Sequence, residues 1–369
     1  MNKPSDENIR ICFMNSNKVW GGGEKWHFEA ACHFRDLGFT VMVITNEKSD
    51  LYKRLEGQDG IILQSVRISN QSFLNPFKIL HISKILKKHD ISAIFMALSI
   101  DVKVGGLAAK YAGIKHIIYR RGAAVPIRNS FFNRYLFGSV LTNVITNSQD
   151  IRNKIFQKNP GIIDERKVQI IYNGVDPEHW NKHGPRVRKQ KSSQKLILGN
   201  AGRLVEQKGQ KYLIEIAKHL KENQIDFVLY IAGSGELEKS LKQDCIKNGL
   251  EKEIVFLDFV DTMEDFLSGL DMYLSTSIHE GSSHVIIEAM AAGLPVIAFD
   301  ISSMPELVEN NVTGYLVPFP ETQPFAEKIV FLSNNRTEMD NFAANARKRV
   351  QRMFDYSKNM RQIIELIKD

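Results

Sequence analysis

The chain has 369 residues, 43% of them hydrophobic and 25% charged, with a formal net charge of +7. That length exceeds one ordinary core and suits two domains of about 150–200 residues each, and the composition excludes disordered and fibrous classes. Cys12, Cys32 and Cys245 are scattered, which argues against a disulfide framework or a zinc site and fits a reducing compartment.

In chain order, the polar start MNKPSDEN predicts no secretory leader. IRICFMN (9–15) and TVMVIT (40–45) read as buried strands, with the helix EKWHFEAACHFRDLG (24–38) between them and Gly38 as its terminator. There follow the strand IILQSVRI, the helix NPFKILHISKILKKH, the strand ISAIFMAL, a helix ending near Gly113 and the strand KHIIYRR. A helix over 129–138, the strand TNVITN, a helix near 150–158 and the strand VQIIYNG (168–174) close the series. Strand–helix alternation of this kind implies parallel βαβ units in a doubly wound sheet.

Over 177–195, PEHWNKHGPRVRKQKSSQK has no apolar periodicity, and 181–195 is read as the linker between a first domain (1–180) and a second (196–353). The alternation then restarts with LILGNAG, the helix QKYLIEIAKHL, DFVLYIAG, EIVFLDF, MYLSTS and PVIAFD. The tail 354–369 is an amphipathic helix with Met360, Ile363, Ile364 and Ile367 on its apolar face, and it is expected to pack back on the first domain. Two such domains are expected to face a central cleft, with ligands at the carboxyl ends of the strands. No apolar run reaches the roughly 20 residues of a membrane span; VIIEAMAAGLPVIAF is interrupted by Glu288, Gly293 and Pro295. The expected location is cytoplasmic, at most peripheral on the cytoplasmic face of the inner membrane.

The charge is lopsided. Residues 1–180 hold 25 Lys+Arg against 16 Asp+Glu, or +9, and residues 181–369 hold 24 against 26, or −2. Residues 103–149 contain seven basic residues (Lys103, Lys110, Lys115, Arg120, Arg121, Arg128 and Arg134) and no acidic one. Such a field attracts an anionic membrane surface, a phosphorylated acceptor or nucleic acid; a solvated basic face is the plainer alternative.

Three motifs carry chemistry. Gly21, Gly22 and Gly23 follow the first strand and precede the first helix, where backbone N–H groups approach an anion or simply make a tight turn. They do not form the dinucleotide fingerprint, because the third glycine of G-x-G-x-x-G is missing. In GNAGRLVEQKGQKYL, Arg203 and Lys208 flank a loop at the carboxyl edge of the second sheet, as a pyrophosphate site would require; two surface bases are the alternative. In SIHEGSSHVIIEAMAAGLPVIAFD, Ser282 or Ser283 is positioned to cap a helix ended by Gly293 and Pro295. The first-turn N–H groups of His284, Val285 and Ile286 would then form an anion site. Glu280 lies just before this cap. Glu288 sits within an almost wholly apolar helix, where an unpartnered carboxylate would cost several kcal/mol, about 3 or more. A ribose diol or a core Arg or Lys would satisfy it.

With these elements in order, the sequence closely resembles the retaining glycosyltransferases of family 4, which have the GT-B fold. The resemblance covers nearly the whole chain and is strongest over 196–317, through AGRLVEQKG, IAGSGE, FLDFVDTMEDFL, HEGSSHVIIEAMAAGLPVIAFD and PELVENNVTGYLVP, with GGGE and IIYNGVD in the first half. It implies that Glu288 binds the ribose hydroxyls of a nucleotide-sugar and that Glu280 lies near the transferred sugar. Backbone amides over Gly281, Ser282, Ser283, His284 and Val285 would hold sugar hydroxyls and phosphate. Arg203 and Lys208 would stabilise the departing pyrophosphate, Gly21–Gly23 would approach the same phosphates, and Phe259 and Val260 would sit near the base. It also implies that no metal or other cofactor is needed, and the chain contains no Asp-x-Asp.

The sequence departs from its relatives where Arg120 and Arg121 occupy a turn in which many carry histidine; Arg121 is read as a contact to the sugar or an anionic acceptor. Asp258 stands where many have glycine. The stretch PIRNSFFNRYLFGSV (126–140) interleaves Phe131, Phe132, Tyr135 and Phe137 with Arg128 and Arg134, either as an amphipathic helix lying on an anionic membrane or as core aromatics with exposed arginines. The leading expectation is transfer of a hexose or N-acetylhexosamine from a UDP-sugar to a saccharide or glycolipid acceptor in lipopolysaccharide core, O-antigen or capsule assembly. The alternatives are a nucleotide-sugar epimerase or hydrolase of the same fold, and a non-catalytic protein binding nucleotide-sugar or nucleic acid. No nucleic-acid module is visible, so nucleic acid is not an expected partner. Nothing in the sequence sets the oligomeric state.

Overall fold

A computed structural model describes residues 9–182 and 195–368. The polar start (1–8) and nearly all of the expected linker lie outside the described residues. By contacts the chain divides into two compact units, Met1–Ile171 with Met360–Asp369, and Tyr172–Asn359.

The first unit is built on a seven-stranded parallel sheet. Its strands are β1 (Arg10–Asn15), β2 (Thr40–Thr45), β3 (Ile61–Ser65), β4 (Ala93–Met96), β5 (His116–Arg121), β6 (Asn143–Thr146) and β7 (Val168–Ile170), in the order β3-β2-β1-β4-β5-β6-β7. β1 lies centrally and is buried on both faces from Ile11 to Asn15, as a parallel strand covered on each side must be. On one face Phe13 stacks on Phe95 with ring centroids 5.3 Å apart and meets Phe34 and Trp26 at 5.9 and 6.2 Å. On the other, Met14, Met42 and Met96 join the helices Pro76–Lys88 and Leu107–Ala112 in one core. Asn75 caps the first of these helices, and Gly113 ends the second in the left-handed conformation at φ 78°.

The second unit has a six-stranded parallel sheet. Its strands are β8 (Leu196–Ala201), β9 (Phe227–Ala232), β10 (Ile254–Leu257), β11 (Met272–Ser275), β12 (Val296–Phe299) and β13 (Gly314–Val317), ordered β10-β9-β8-β11-β12-β13. Each unit reverses its strand order beside its first strand, the topology that leaves a binding position at the strand carboxyl ends. The two doubly wound units match the fold class expected from the strand–helix alternation.

Several details differ from the sequence expectation. β13 adds a strand that the turn-rich NNVTGYLVPFP conceals. The helix expected over 129–138 is a short α-helix, Phe131–Tyr135, continued by a π-helical turn, Leu136–Val140. β7 stops at Ile170, and residues 172–180, expected with the first domain, belong to the second unit. There Val175 bridges to Asp355, and a Cβ on Gly174 would lie 2.7 Å from Tyr356 backbone atoms, so this segment is pressed against the chain around 354–356. The last helix, Tyr356–Lys368, buries Met360, Ile363, Ile364 and Ile367, and its residues from Met360 onward group with the first unit. Among the described residues, no helix is long and apolar enough to cross a membrane.

Candidate active site

The second unit gathers most of the singled-out residues at the carboxyl ends of β8 and β11. After β8 the chain turns through Arg203 to Lys208 and enters the helix Gln210–Glu222 at Gly209, which adopts φ +63°. A Cβ there would stand 2.2 Å from the Thr276 carbonyl oxygen, so only glycine lets the loop lie against the end of β11. Thr276 Oγ1 in turn donates to the Lys208 carbonyl at 3.3 Å. A second close approach holds the other side of the loop: Gly233, at φ +125°, would place a Cβ 2.2 Å from the Gly202 carbonyl.

This clamped loop delivers the Lys208 ammonium to Glu280, and the two form an ion pair. The same Glu280 oxygen accepts from Ser277 Oγ at 3.0 Å, and Glu280 is only 7% exposed. Its main chain is fixed as well. Ser302 Oγ and Ser303 Oγ donate to its carbonyl at 2.8 and 2.9 Å. Arg203 points outward from the start of the loop and is exposed, while its carbonyl accepts from Gln210 Nε2 at 3.0 Å.

From Glu280 the chain passes Gly281 and Ser282 into the helix His284–Ala292, ended by Gly293 at φ 79°. Ser283 occupies the N-cap position, yet its side chain makes no capping bond, contrary to the sequence expectation, and Ser282 Oγ is buried without a hydrogen-bond partner. Backbone geometry therefore starts this helix without side-chain help. The Ser282 carbonyl is held by Asn173 Nδ2 at 3.4 Å. Val285 packs at the edge of an apolar cluster, and Ile286 to Ala292 are all buried, including Glu288 at 3% exposure. Burial pushes the Tyr273 phenol well above its usual range, and the charges of Glu280 and Glu288 act in the same direction. That hydroxyl donates to the Ala201 carbonyl at 3.1 Å, at the end of β8. Beyond β10, Phe259 is exposed and Val260 packs at the margin of the same apolar cluster.

In the first unit, the glycine turn opens the helix Gly22–Asp36. Gly21 is its N-cap with extended backbone, and Gly22 and Gly23 form its first turn. Glu24 follows, buried, and accepts from Asn15 Nδ2 at 3.1 Å. A Cβ on Gly21 would approach Glu24 Oε2 at 3.2 Å. Asp101 is fully buried next to this turn; its Oδ2 accepts the N–H groups of Ser16 and Leu98 at 3.3 and 3.0 Å, and its Oδ1 has no hydrogen-bond partner. Burial raises its pKa to about 7, against the pull of those N–H donors. Arg120, also buried, lies 4.7 Å over the Trp26 ring, and burial lowers its pKa to about 10. Arg121 turns into its own strand end: it donates to Tyr119 Oη at 3.2 Å and to the Val125 carbonyl.

Lys208, Glu280, Gly281–Val285 and Glu288 thus stand together in the second unit, while Gly21–Gly23 and Arg121 belong to the first. Sequence reasoning did not single out Asn173, Ser277, Ser302, Ser303, Glu24 or Asp101. Asn173 and Glu24 lie inside the NGVD and GGGE motifs and were within reach; the serines belong to no pattern. Among the described residues no group of three or more His, Cys, Asp or Glu is placed to hold a metal ion.

Two family models match the chain: Glycosyltransferase Family 4 over residues 20–179 and Glycosyl transferases group 1 over residues 185–349. The UDP-Gal:alpha-D-GlcNAc-diphosphoundecaprenol alpha-1,3-galactosyltransferase of Escherichia coli is 25% identical over 350 residues, 90% of this chain and 89% of its own. The amylovoran biosynthesis glycosyltransferase AmsK of Erwinia amylovora is 30% identical over 209 residues, 54% of this chain and 50% of its own. Among solved structures, HepE of Anabaena in complex with UDP and glucose superposes with a TM-score of 0.83 at 23% identity, covering 98% of this chain and 100% of that one. A glycosyltransferase from Rickettsia africae gives 0.84 at 23% identity, covering 98% of each chain. The chain belongs to the glycosyltransferases of GT-B fold and family-4-like type.

Proposed function

We propose that this glycosyltransferase is retaining and metal-independent, and that it moves a hexose or N-acetylhexosamine from a UDP-sugar to a saccharide or glycolipid acceptor of cell-surface glycan assembly, at the cytoplasmic face of the membrane. The observation that carries the donor half is the convergence of Lys208, Glu280, the start of the helix His284–Ala292 and buried Glu288 within one unit. In this reading Glu288 accepts from the ribose hydroxyls, and Phe259 and Val260 flank the base. Backbone N–H groups over Gly281–Val285 meet phosphate and sugar hydroxyls. Arg203 and Lys208 supply the positive charge that a divalent ion would otherwise bring to the diphosphate. The glycine turn Gly21–Gly23 offers further N–H groups to an anion, and Arg121 stands on the acceptor side.

In the reaction, the bond between the sugar's anomeric carbon and the diphosphate oxygen breaks. A new bond forms from the acceptor hydroxyl oxygen to the same face of that carbon, and the hydroxyl proton passes to the leaving phosphate oxygen. UDP departs with its charge met by cations and N–H dipoles fixed in advance. Relatives support the donor class: one is named for UDP-Gal, another was crystallised with UDP and glucose.

Calorimetry with UDP, GDP and their sugars, with and without EDTA, tests the reading. UDP binding indifferent to EDTA is expected, with Glu288→Ala weakening it at least tenfold. Unchanged UDP affinity in that variant refutes the ribose assignment. NMR of the product's anomeric configuration separates retention from inversion, and sugar release or epimerisation without an acceptor would favour a hydrolase or epimerase.

A further inference from the structure

Among the described residues, the most exposed Phe, Tyr and Trp side chains are Phe131 (88% exposed) and Phe77 (80% exposed), and both belong to the first unit. They open neighbouring helices, Phe131–Tyr135 and Pro76–Lys88. A tilted ring pair, Phe73 and Phe132 with centroids 5.2 Å apart, ties the two helix starts together, and Leu74, also exposed, follows Phe73. Along Pro76–Lys88 the exposed stripe runs from Phe77 and Leu80 to Lys84, Lys87 and Lys88. Lys87 lies over the ring of exposed Tyr111 at 5.3 Å, and Lys110 over Tyr135 at 5.0 Å, so the face continues across the helix Leu107–Ala112 to Phe131–Tyr135. Residues 61–149 carry twelve Lys and Arg against two Asp. Of those, Asp101 is buried and Asp90 pairs with Arg10 at 3.3 Å.

We infer that this face docks the protein onto an anionic lipid bilayer, with Leu74, Phe77, Leu80 and Phe131 entering the acyl boundary and the flanking lysines meeting headgroup phosphates. Exposed aliphatic and aromatic tips ringed by ammonium groups fit a surface that is apolar inside and anionic at its rim. Nucleic acid offers the charge without an apolar layer to receive Leu74 and Leu80. The surface differs from the one read from 126–140 alone: Phe137 is core, Phe132 is half-buried, and three of the four inserting tips come from 74–80. The inference builds on the membrane part of the proposed function and is independent of the donor assignment.

Vesicle sedimentation of the full chain tests it, with vesicles of phosphatidylcholine alone or with phosphatidylglycerol, at low and high salt. Retention is expected only on the anionic vesicles and is expected to fall with salt. The double variant F77E/F131E should lose at least tenfold in partitioning, and so should the milder F77S/F131S, while UDP binding stays at the parental level. The exposed F331S change in the second unit serves as the control and should leave retention unaltered. No retention of the parent on anionic vesicles overturns the inference, as does retention that both double variants keep. A parent that is dimeric by light scattering and becomes monomeric in F77S/F131S also overturns it, since the face would then bind a second copy.

Discussion

Lys208 and Glu280, far apart in sequence, form an ion pair at the carboxyl edge of the second sheet, with Ser277 as a second donor to the carboxylate. Glu280 is nearly buried and Lys208 mostly so, which sets the consequence of breaking the pair. Removing one partner strands the other charge, at a cost of about 3 kcal/mol, whereas removing both leaves no stranded charge. Glu280→Ala and Lys208→Ala are each expected to lower the unfolding free energy by roughly that amount. The double variant should lose less than the sum by about 1 kcal/mol or more. Urea denaturation of the four proteins measures the coupling; additive losses would mean that the pair is not coupled. Lys208→Ala should also weaken UDP binding, because the ammonium that Glu280 holds is the one assigned to the diphosphate.

The loop bearing Lys208 depends on backbone contact rather than side-chain packing. Gly209 and Gly249 share almost the same backbone conformation, φ +63° and +62°, yet a Cβ on Gly209 would stand 2.2 Å from the Thr276 carbonyl while one on Gly249 meets nothing within 4 Å. Gly249→Ala therefore isolates the conformational cost, of order 1 kcal/mol. Gly209→Ala should cost more than that and should raise the KM for donor several-fold, while Gly249→Ala leaves KM unaltered. Equal losses in the two variants would show that the close approach relaxes freely.

The parts legible in the sequence are those whose signal is local. Buried strands such as Ile11–Met14 read directly from unbroken apolar runs, and Gly293 and Gly113 mark helix ends through a conformation that glycine favours. Glu288 stands out because the residues around it are apolar. The Lys208–Glu280 pair has no such signature, since chain folding alone brings those residues together. NGVD marks Asn173 as a residue, but its contact has no signature either: its partner, the Ser282 carbonyl, is a backbone atom that any sequence would carry. Ser283 shows the reverse case. A serine before an apolar run predicts a side-chain cap, but its hydroxyl does not form one. The short β13 was lost among turn-forming neighbours, and Phe77 read as part of an ordinary amphipathic helix because its exposure depends on which face the sheet covers.

Asn173 links the chain entering the second unit to the loop before the helix His284–Ala292. Its buried amide donates to the Ser282 carbonyl at 3.4 Å, and a Cβ on the adjacent Gly174 would lie 2.7 Å from Tyr356 backbone atoms, which fixes the turn that aims it. Asn173→Ala removes a buried donor worth about 1 kcal/mol. If Gly281–Val285 meet the donor's phosphate and sugar, the loosened loop should lower kcat/KM for the donor by roughly fivefold to tenfold, about 1 kcal/mol or slightly more, with a smaller effect on global stability than either charge deletion. Steady-state kinetics with donor varied at saturating acceptor is the measurement. An unchanged kcat/KM would separate Asn173 from the site.

The first unit buries two titratable groups with opposite pH signatures. Burial raises the Asp101 carboxyl from 3.8 to about 7 and lowers the His27 imidazole from 6.5 to about 3, even though His27 Nδ1 contacts the Gly23 carbonyl at 3.0 Å. For Asp101 the folded state holds the proton more tightly than the unfolded chain, so its contribution to stability is present below about 3.8 and is lost as pH rises through about 7. For His27 the unfolded chain holds the proton more tightly, so its contribution is present above 6.5 and is lost as pH falls toward about 3. Between pH 4 and 6.5 the two oppose each other in the parent, and single substitutions should unmask them. Asp101→Asn, which keeps an acceptor for the Ser16 and Leu98 N–H groups, should leave stability rising with pH across this window. His27→Phe, which keeps a ring against Phe13 and Trp26, should leave it falling. Urea midpoints at half-unit pH intervals measure both slopes. Parallel profiles in the two variants would mean that neither group titrates from the buried position assigned to it.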